Sequence, residues 1–345
     1  GYPMFVVQAS VLVLMTRIET HQVLRNKGLV IRLPGGARDV AVFVSHQWCG
    51  RYHPDPRLAQ LRVLQAILRR AIAGTLKIET EMFSILASKM KQSARAGDFR
   101  SIAAWFVWYD YFSVPQPAAP EAESCFHTDL ETDLGKAIAS LASYVARCRW
   151  FFVLAPSVFH EEGHMCNYAT WRARGWCRFE RLARVLTPAA DTTMLLITDG
   201  SCVRQAVAQQ FLIEPVGRGS FTVESDRATL AGKLEKMIHS KLRHLAESGC
   251  VGEYRRWLSS FSSLFSGLPT DWSTVRPIEL PEASYVSEVD RFLSMHHFKS
   301  ATDRPHGTSA VHIASALGEA RIVEALLARR ASAEYRERRT EQAFG

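Results

Sequence analysis

Asp39-Val40-Ala41-Val42-Phe43-Val44-Ser45-His46-Gln47-Trp48 is the stretch on which the fold turns. It opens with the apolar run Val40–Val44 and breaks into polar groups at Ser45. Successive strand side chains point to opposite faces, so an unbroken apolar run needs cover on both. The run therefore reads as a central strand of a parallel sheet. Trp105–Tyr109, Trp150–Leu154 and Thr193–Ile197 have the same character, and Phe221–Val223 is a weaker fifth candidate.

Helical stripes separate these runs. Asp55 and Pro56 read as an N-cap and a first-turn proline. Leu58, Leu61, Leu64, Leu68 and Ile72 follow at helical spacing. Leu134, Ile138, Leu141 and Val145 form a second stripe, and Trp176, Phe179, Leu182, Ala183 and Leu186 a third. Asp226 caps a long helix through Leu230, Leu234, Met237, Ile238, Leu242 and Leu245. Strands alternating with helices imply crossovers, hence an α/β fold with a parallel sheet flanked by helices. Ala73–Arg100 is long for one crossover and predicts an inserted helix. Pro115–Glu123 predicts a loop. Cys250–Pro281, aromatic and Ser-rich, predicts a helical connector.

The apolar run Met4–Met15 is interrupted by Gln8 and Ser10. It is shorter than the ~20 residues a bilayer span takes, and it lacks a basic leader. It predicts a strand or buried helix packed on the domain, with no membrane partner. The chain has 345 residues, room for two domains of about 100–200 residues each. Its net charge is +8, with basic residues scattered apart from denser stretches at Arg172–Arg184 and Arg329–Arg339. A nucleic-acid surface would gather them on one face among aromatics, so no nucleic-acid partner is expected. The seven cysteines are odd in number and irregularly spaced. Free thiols in a reducing compartment follow, and with them a cytoplasmic location.

In an open parallel sheet, ligands bind beyond the carboxyl ends of the strands. There the runs end in Ser45-His46-Gln47-Trp48, in Asp110 followed by Tyr111–Gln116, in Pro156-Ser157 and in Thr198-Asp199-Gly200. Polar groups thus collect along one edge. His46 and His53 have no nucleophile or base placed beside them by the sequence, and read as packed or solvated. His160, His164, Cys166 and Cys177 have spacings that match no common zinc arrangement, so no metal is expected. Gly217-Arg218-Gly219 reads as a turn, because a phosphate cradle should open a helix.

Four motifs in order carry a resemblance. Asp39–Ser45 is similar to the first strand of TIR domains. Trp108-Tyr109-Asp110 with Ser113-Val114-Pro115 resembles the second strand and its loop, and Phe151–Ser157 the third strand. Trp176-Cys177-Arg178-Phe179-Glu180 resembles the Trp-Cys-x-x-Glu segment that starts a later TIR helix. The resemblance implies a TIR/flavodoxin-like sheet. It also implies that Glu180 is the catalytic carboxylate of an NAD+ glycohydrolase, with NAD+ as substrate and no cofactor required. Ser45, His46, Asp110, Ser113 and Trp176 would then be the cleft residues. Many members of that family only assemble with one another, which implies a homo-oligomer. Alternatively, Glu180 is a surface helical residue paired with Arg181 or Arg184, and Trp176 belongs to the core.

Gly307-Thr308-Ser309-Ala310-Val311-His312-Ile313-Ala314 resembles the opening of an ankyrin repeat, continued by Ala316, Gly318, Ile322, Val323, Leu326, Leu327 and Ala331. In that family Thr308 and His312 would bond around the first turn, and Gly318 would reverse the chain. The resemblance implies an α-helical module that binds other proteins. The expected layout is 1–38, an extension packed on the domain; 39–248, a TIR-like α/β domain; 249–305, a helical connector; and 306–345, an ankyrin repeat whose array is truncated. Because it starts at Gly1 and ends inside a repeat-like pattern, the chain reads as a fragment. The leading expectation is a signalling protein that works by protein interaction. The second is the NAD+ glycohydrolase, and the third a nucleotide-binding regulator without hydrolysis.

Overall fold

A computed structural model describes residues 1–80, 94–117, 132–187, 193–206, 213–269, 287–296, 298–304 and 308–329. The chain forms two compact units, Gly1–Glu214 with Gly219–Asp226, and Pro215–Arg218 with Arg227–Gly345. The first unit holds the strands Phe5–Gln8 (β1), Val30–Arg32 (β2), Ala41–His46 (β3), Lys77–Thr80 (β4), Phe106–Trp108 (β5), Trp150–Leu154 (β6), Val158–Phe159 (β7), Met165–Cys166 (β8), Met194–Ile197 (β9) and Cys202–Ala206 (β10). Eight of them make one sheet in the order β2-β1-β5-β3-β6-β9-β10-β4, and β7 pairs with β8 in a separate hairpin.

The four expected strands are the parallel centre of the sheet, β5-β3-β6-β9. β3 is buried at every position. In register, Phe43 lies between Trp108 and Phe151. The three rings stack, with centroids 4.3 Å and 5.3 Å from Phe43. This ladder faces the helices Leu141–Arg147 and Gly175–Leu186, and Tyr144 brings its ring to 5.9 Å from Trp108. On the opposite face, Val42, Val44, Val107 and Phe152 share a core with Leu61, Leu64 and Leu68 of the helix Ala59–Ile72 and with Leu12 of the helix Ala9–Leu14. Both faces are covered, which is why these strands read as unbroken apolar runs.

The edges depart from the parallel expectation. β1 pairs antiparallel with both β2 and β5, and β10 runs antiparallel to β9. The run Met4–Met15 is strand and helix in turn, changing at Gln8, and the segment 1–38 supplies two strands of the sheet itself. Of the helix expected within Ala73–Arg100, the described parts are instead the edge strand β4 and a 3-10 turn at Ala96–Phe99; residues 81–93 lie outside the described residues. Phe221–Val223 is not a strand. Only Ser220 makes an isolated bridge, to Arg174. The Phe221 ring instead covers Gly175, where a Cβ would meet it at 2.0 Å.

Capping also differs in detail. The helix expected to start at Asp55 begins at Ala59, after Leu58 in the left-handed region at φ 55°. The Asp55 carboxylate still serves its free N–H groups, accepting from Ala59 N at 2.9 Å and Leu61 N at 2.8 Å. The Leu134–Val145 stripe is two helices, Asp133–Ala139 and Leu141–Arg147, broken at Ser140. Pro115–Pro117 is irregular as expected, and the rest of that predicted loop lies outside the described residues.

In the second unit, residues from Arg227 onward continue the helix Asp226–Glu247, a stretch the sequence assigns to the α/β domain. Val251–Ser259 and Phe261–Leu264 are helical. Val289, Phe292, Phe298, Ile313, Ile322 and Leu326 form a small core among the helices Glu288–Met295, Ala310–Ala316 and Ala320–Ala328. Gly318, at φ +73°, reverses the chain between the last two, a conformation glycine adopts without strain. Ser309, not Thr308, exchanges hydrogen bonds with His312 around the first turn. Gly307 and residues 330–345 lie outside the described residues. Among the described residues no helix is long and apolar enough to cross a membrane.

The ring ladder at the sheet centre has a measurable value. Phe43→Ala should lower unfolding free energy by about 3–5 kcal/mol in denaturant titration, since it deletes a buried ring and leaves a cavity. Leu14→Ala, at a side chain that is 80% exposed, should change it by less than about 0.5 kcal/mol.

Candidate functional site

In chain order the four parallel strands run second, first, third, fourth across the sheet, so the order reverses between β3 and β6. Crossovers leave to opposite sides there, and a crevice opens beyond the carboxyl ends. A cleft of about 730 Å³ lies at this end, and His46, Trp48, Asp110, Tyr111, Trp176 and Glu180 are among its walls.

Alternation along β3 decides which groups meet. Ser45 is on the same face as Phe43, the face covered by the helix Gly175–Leu186. Its hydroxyl donates to Glu180 Oε2 at 2.5 Å. It also accepts from the indole N–H of Trp171 at 3.1 Å, and Trp171 is fully buried. The serine is thereby oriented, and its proton is aimed at the carboxyl. Glu180 is only partly accessible, through the cleft. Arg181 pairs with Glu214, and Arg184 donates to the carbonyls of Cys148 and Arg149, so neither arginine pairs with Glu180 as the alternative expectation had it. Burial pushes the Glu180 carboxyl up to about 8; the Ser45 hydrogen bond opposes this and the nearby Asp110 charge adds to it.

Asp110 shows the reverse balance. It stands at the start of the short helix Asp110–Ser113. Oδ1 faces His46 Nε2 at 2.8 Å and accepts from Tyr111 N at 2.6 Å, while Oδ2 accepts from Trp48 Nε1 at 2.7 Å. Burial would raise its pKa, but the His46 charge and these hydrogen bonds outweigh burial and hold it below the ordinary value. The His46 ring stacks on Tyr109 at 3.9 Å, which fixes its plane. The cleft therefore holds one carboxyl that stays ionised and one that is neutral near pH 7. Two titratable groups driven apart by their surroundings are a common arrangement for acid–base work.

Trp176 lines the cleft, and its indole N–H donates to Asp226 Oδ2 at 2.7 Å. Cys177 also lines it, and burial pushes its thiol above the ordinary value, which disfavours the reactive thiolate. Ser113 is buried and points inward, with Oγ accepting from Tyr109 N at 3.2 Å, so it braces the turn and does not line the rim. Of the groups singled out in the sequence, the structure brings together Ser45, His46, Asp110, Trp176 and Glu180. Trp48 and Trp171 were not singled out. Trp48 lies two residues past His46 in the quoted stretch, whereas Trp171, on the separate helix Tyr168–Ala173, carries no periodic signal that points to Ser45.

A smaller cleft of about 370 Å³, between Val13–Thr16 and the helix Ala59–Ile72, is lined by Arg62 and Arg69 but by no carboxylate or histidine. The six described cysteines, Cys49, Cys148, Cys166, Cys177, Cys202 and Cys250, are free thiols. Comparison of the chain with family models, with curated proteins and with solved structures gives no match.

Glu180 should carry a stability signature. Its folded pKa, about 8, lies above its ordinary value of 4.5. The protonated form is favoured by folding, so its contribution is complete below pH 4.5 and is lost as pH rises through 8. Glu180→Gln should melt several degrees higher than the parent at pH 9, and at nearly the same temperature at pH 4.5, in thermal scans followed by circular dichroism.

Proposed function

We propose that the α/β unit is a TIR/flavodoxin-like NAD+ glycohydrolase, with Glu180 as its catalytic carboxylate. The observation that carries this reading is Glu180 itself, held by Ser45 in a cleft beyond the carboxyl ends of the parallel strands. Cleavage of the nicotinamide–ribose bond sends both bond electrons to the pyridinium nitrogen. Nicotinamide leaves neutral, so no general acid is needed. The positive charge moves onto the ribose, where an anion close by stabilises the oxocarbenium-like transition state. Water then adds at the ribosyl carbon and loses a proton.

The raised pKa of Glu180 decides which nucleotide the cleft favours. Two opposite unit charges ~4 Å apart interact by about 4 kcal/mol at an effective dielectric of ~20. That equals about three pH units. A pyridinium cation beside Glu180 is thus enough to ionise a carboxyl that is neutral in the free cleft. A neutral base offers no such compensation. Trp48, Tyr111 and Trp176 supply aromatic faces in the same walls.

A second reading concerns the second unit. The paired helices Ala310–Ala316 and Ala320–Ala328, with a Ser309–His312 cap and Gly318 at the reversal, support an ankyrin-type protein-binding module. On this reading the chain is a cytoplasmic signalling protein that recognises another protein through the helical module and self-associates through the α/β unit.

Incubation of the protein with NAD+ should release nicotinamide. Glu180→Gln should lower kcat/KM by a factor of a hundred or more, while circular dichroism shows it folded. The parent's log kcat/KM should rise with unit slope as pH increases and level off above about 8, because the ionised carboxyl is the active form. Activity retained in Glu180→Gln would end the assignment. The absence of any nicotinamide release at high protein concentration would leave the interaction reading in its place.

A further inference from the structure

The hairpin β7–β8 carries a cluster that the cleft does not use. We propose that His160, Glu162 and His164 form a site for a divalent transition metal, with zinc as the ion that fits their chemistry best. One atom from each of the three lies within 4.8 Å of the other two. A single carboxylate oxygen, Glu162 Oε2, faces both imidazoles, 3.7 Å from His160 Nδ1 and 4.0 Å from His164 Nδ1. The rings lie nearly parallel, 17° apart, with centroids at 4.2 Å.

These separations are close to what a metal would need. Zinc–nitrogen and zinc–oxygen bonds of about 2.0–2.2 Å at tetrahedral angles place ligand atoms roughly 3.4 Å apart. The cluster is therefore open by about 0.3 and 0.6 Å on its two Glu162–histidine edges, with every ligand-atom separation within 4.8 Å. Two of its side chains are free to close it, Glu162 at 67% and His164 at 58% exposure. His160 is the fixed member. Its Nδ1 accepts from Glu162 N at 3.2 Å, so that nitrogen is unprotonated, as a ligand must be. The metal would take the place of this long hydrogen bond.

The backbone holds the three side chains together. His160 N donates to His164 O at 2.8 Å, Gly163 N donates to His160 O at 3.0 Å, and Gly163 turns the chain at φ +89°. Two imidazoles and one carboxylate leave one position open to water, and this donor set suits zinc and its neighbours better than magnesium or calcium. The cysteines take no part: Cys166 is buried and Cys177 faces the cleft. Spacing along the chain could not separate these partners.

The site also has a mechanical connection. Between the two histidine positions, Glu161 N donates to Cys49 O at 2.8 Å, and Arg51 N donates to Glu161 Oε1 at 2.5 Å. Gly50, Arg51 and Tyr52 line the large cleft. A metal at the hairpin tip would thus brace one wall of the cleft, whatever reaction the cleft performs.

Calorimetric titration of the metal-free protein with zinc chloride should show one saturable site. His164→Ala and Glu162→Gln, both at exposed positions, should each weaken it by about tenfold or more. Cobalt(II) should give a visible spectrum without a thiolate charge-transfer band. Hydrogen exchange at residues 49–52 should slow when zinc is added to the parent and not when it is added to His164→Ala. No saturable binding, unchanged affinity in both variants, or a thiolate band that assigns the metal to cysteine would each overturn the proposal. Zinc binding without slower exchange at 49–52 would overturn the bracing role.

Discussion

A buried serine hydroxyl with two partners organises this molecule. Ser45 Oγ accepts a hydrogen bond from the Trp171 indole N–H and donates its own to Glu180. Three separate elements meet at that oxygen: the end of β3, the helix Tyr168–Ala173 and the helix Gly175–Leu186. A buried polar group without a partner costs a few kcal/mol, so the three elements are held to one arrangement. Gly175 lets that arrangement close. Its missing side chain leaves room for the Phe221 ring, and the missing side chain of Gly219 leaves room for the Gly175 backbone, where the helix that carries Trp176 and Glu180 begins.

The same arrangement produces the electrostatic contrast in the cleft. Asp110 and Glu180 are both carboxyls at the carboxyl end of one sheet. Asp110 receives a histidine, an indole and a backbone amide, and burial loses to them. Glu180 receives one hydroxyl, and burial wins. The difference lies in the number and charge of donors each meets, because desolvation acts on both. A carboxyl that burial has made a weaker acid responds strongly to an incoming cation, and the proposed pyridinium preference rests on that response.

Periodicity was sufficient for much of the fold. Unbroken apolar runs marked β3, β5, β6 and β9, and leucine spacing marked the Ala59–Ile72 and Gly175–Leu186 helices, because double-sided burial and a one-sided helical stripe both leave a local trace. The edge strands left none that could be trusted. β4 alternates between exposed and half-buried positions, and β2 has one buried residue, so neither differs much from loop. The Met4–Met15 run was apolar enough for strand or helix and turned out to be one after the other. Phe221–Val223 looked like a strand from its apolar character, but the Phe221 ring serves instead as a lid over Gly175.

For the cleft, residue order alone could place Ser45, His46 and Asp110 at strand ends, since each directly follows its apolar run. It could also place Glu180 one helical turn beyond Trp176. Whether Glu180 faced solvent or Ser45 depended on how the helix is rotated against β3, and rotation is set by packing between residues more than a hundred positions apart. The capture of Arg181 by Glu214, 33 positions away, was likewise settled by contact between elements. Local pattern records which face of an element is apolar; only the assembled core determines which polar groups end up opposite one another, because that choice is made by contacts between elements and not within them.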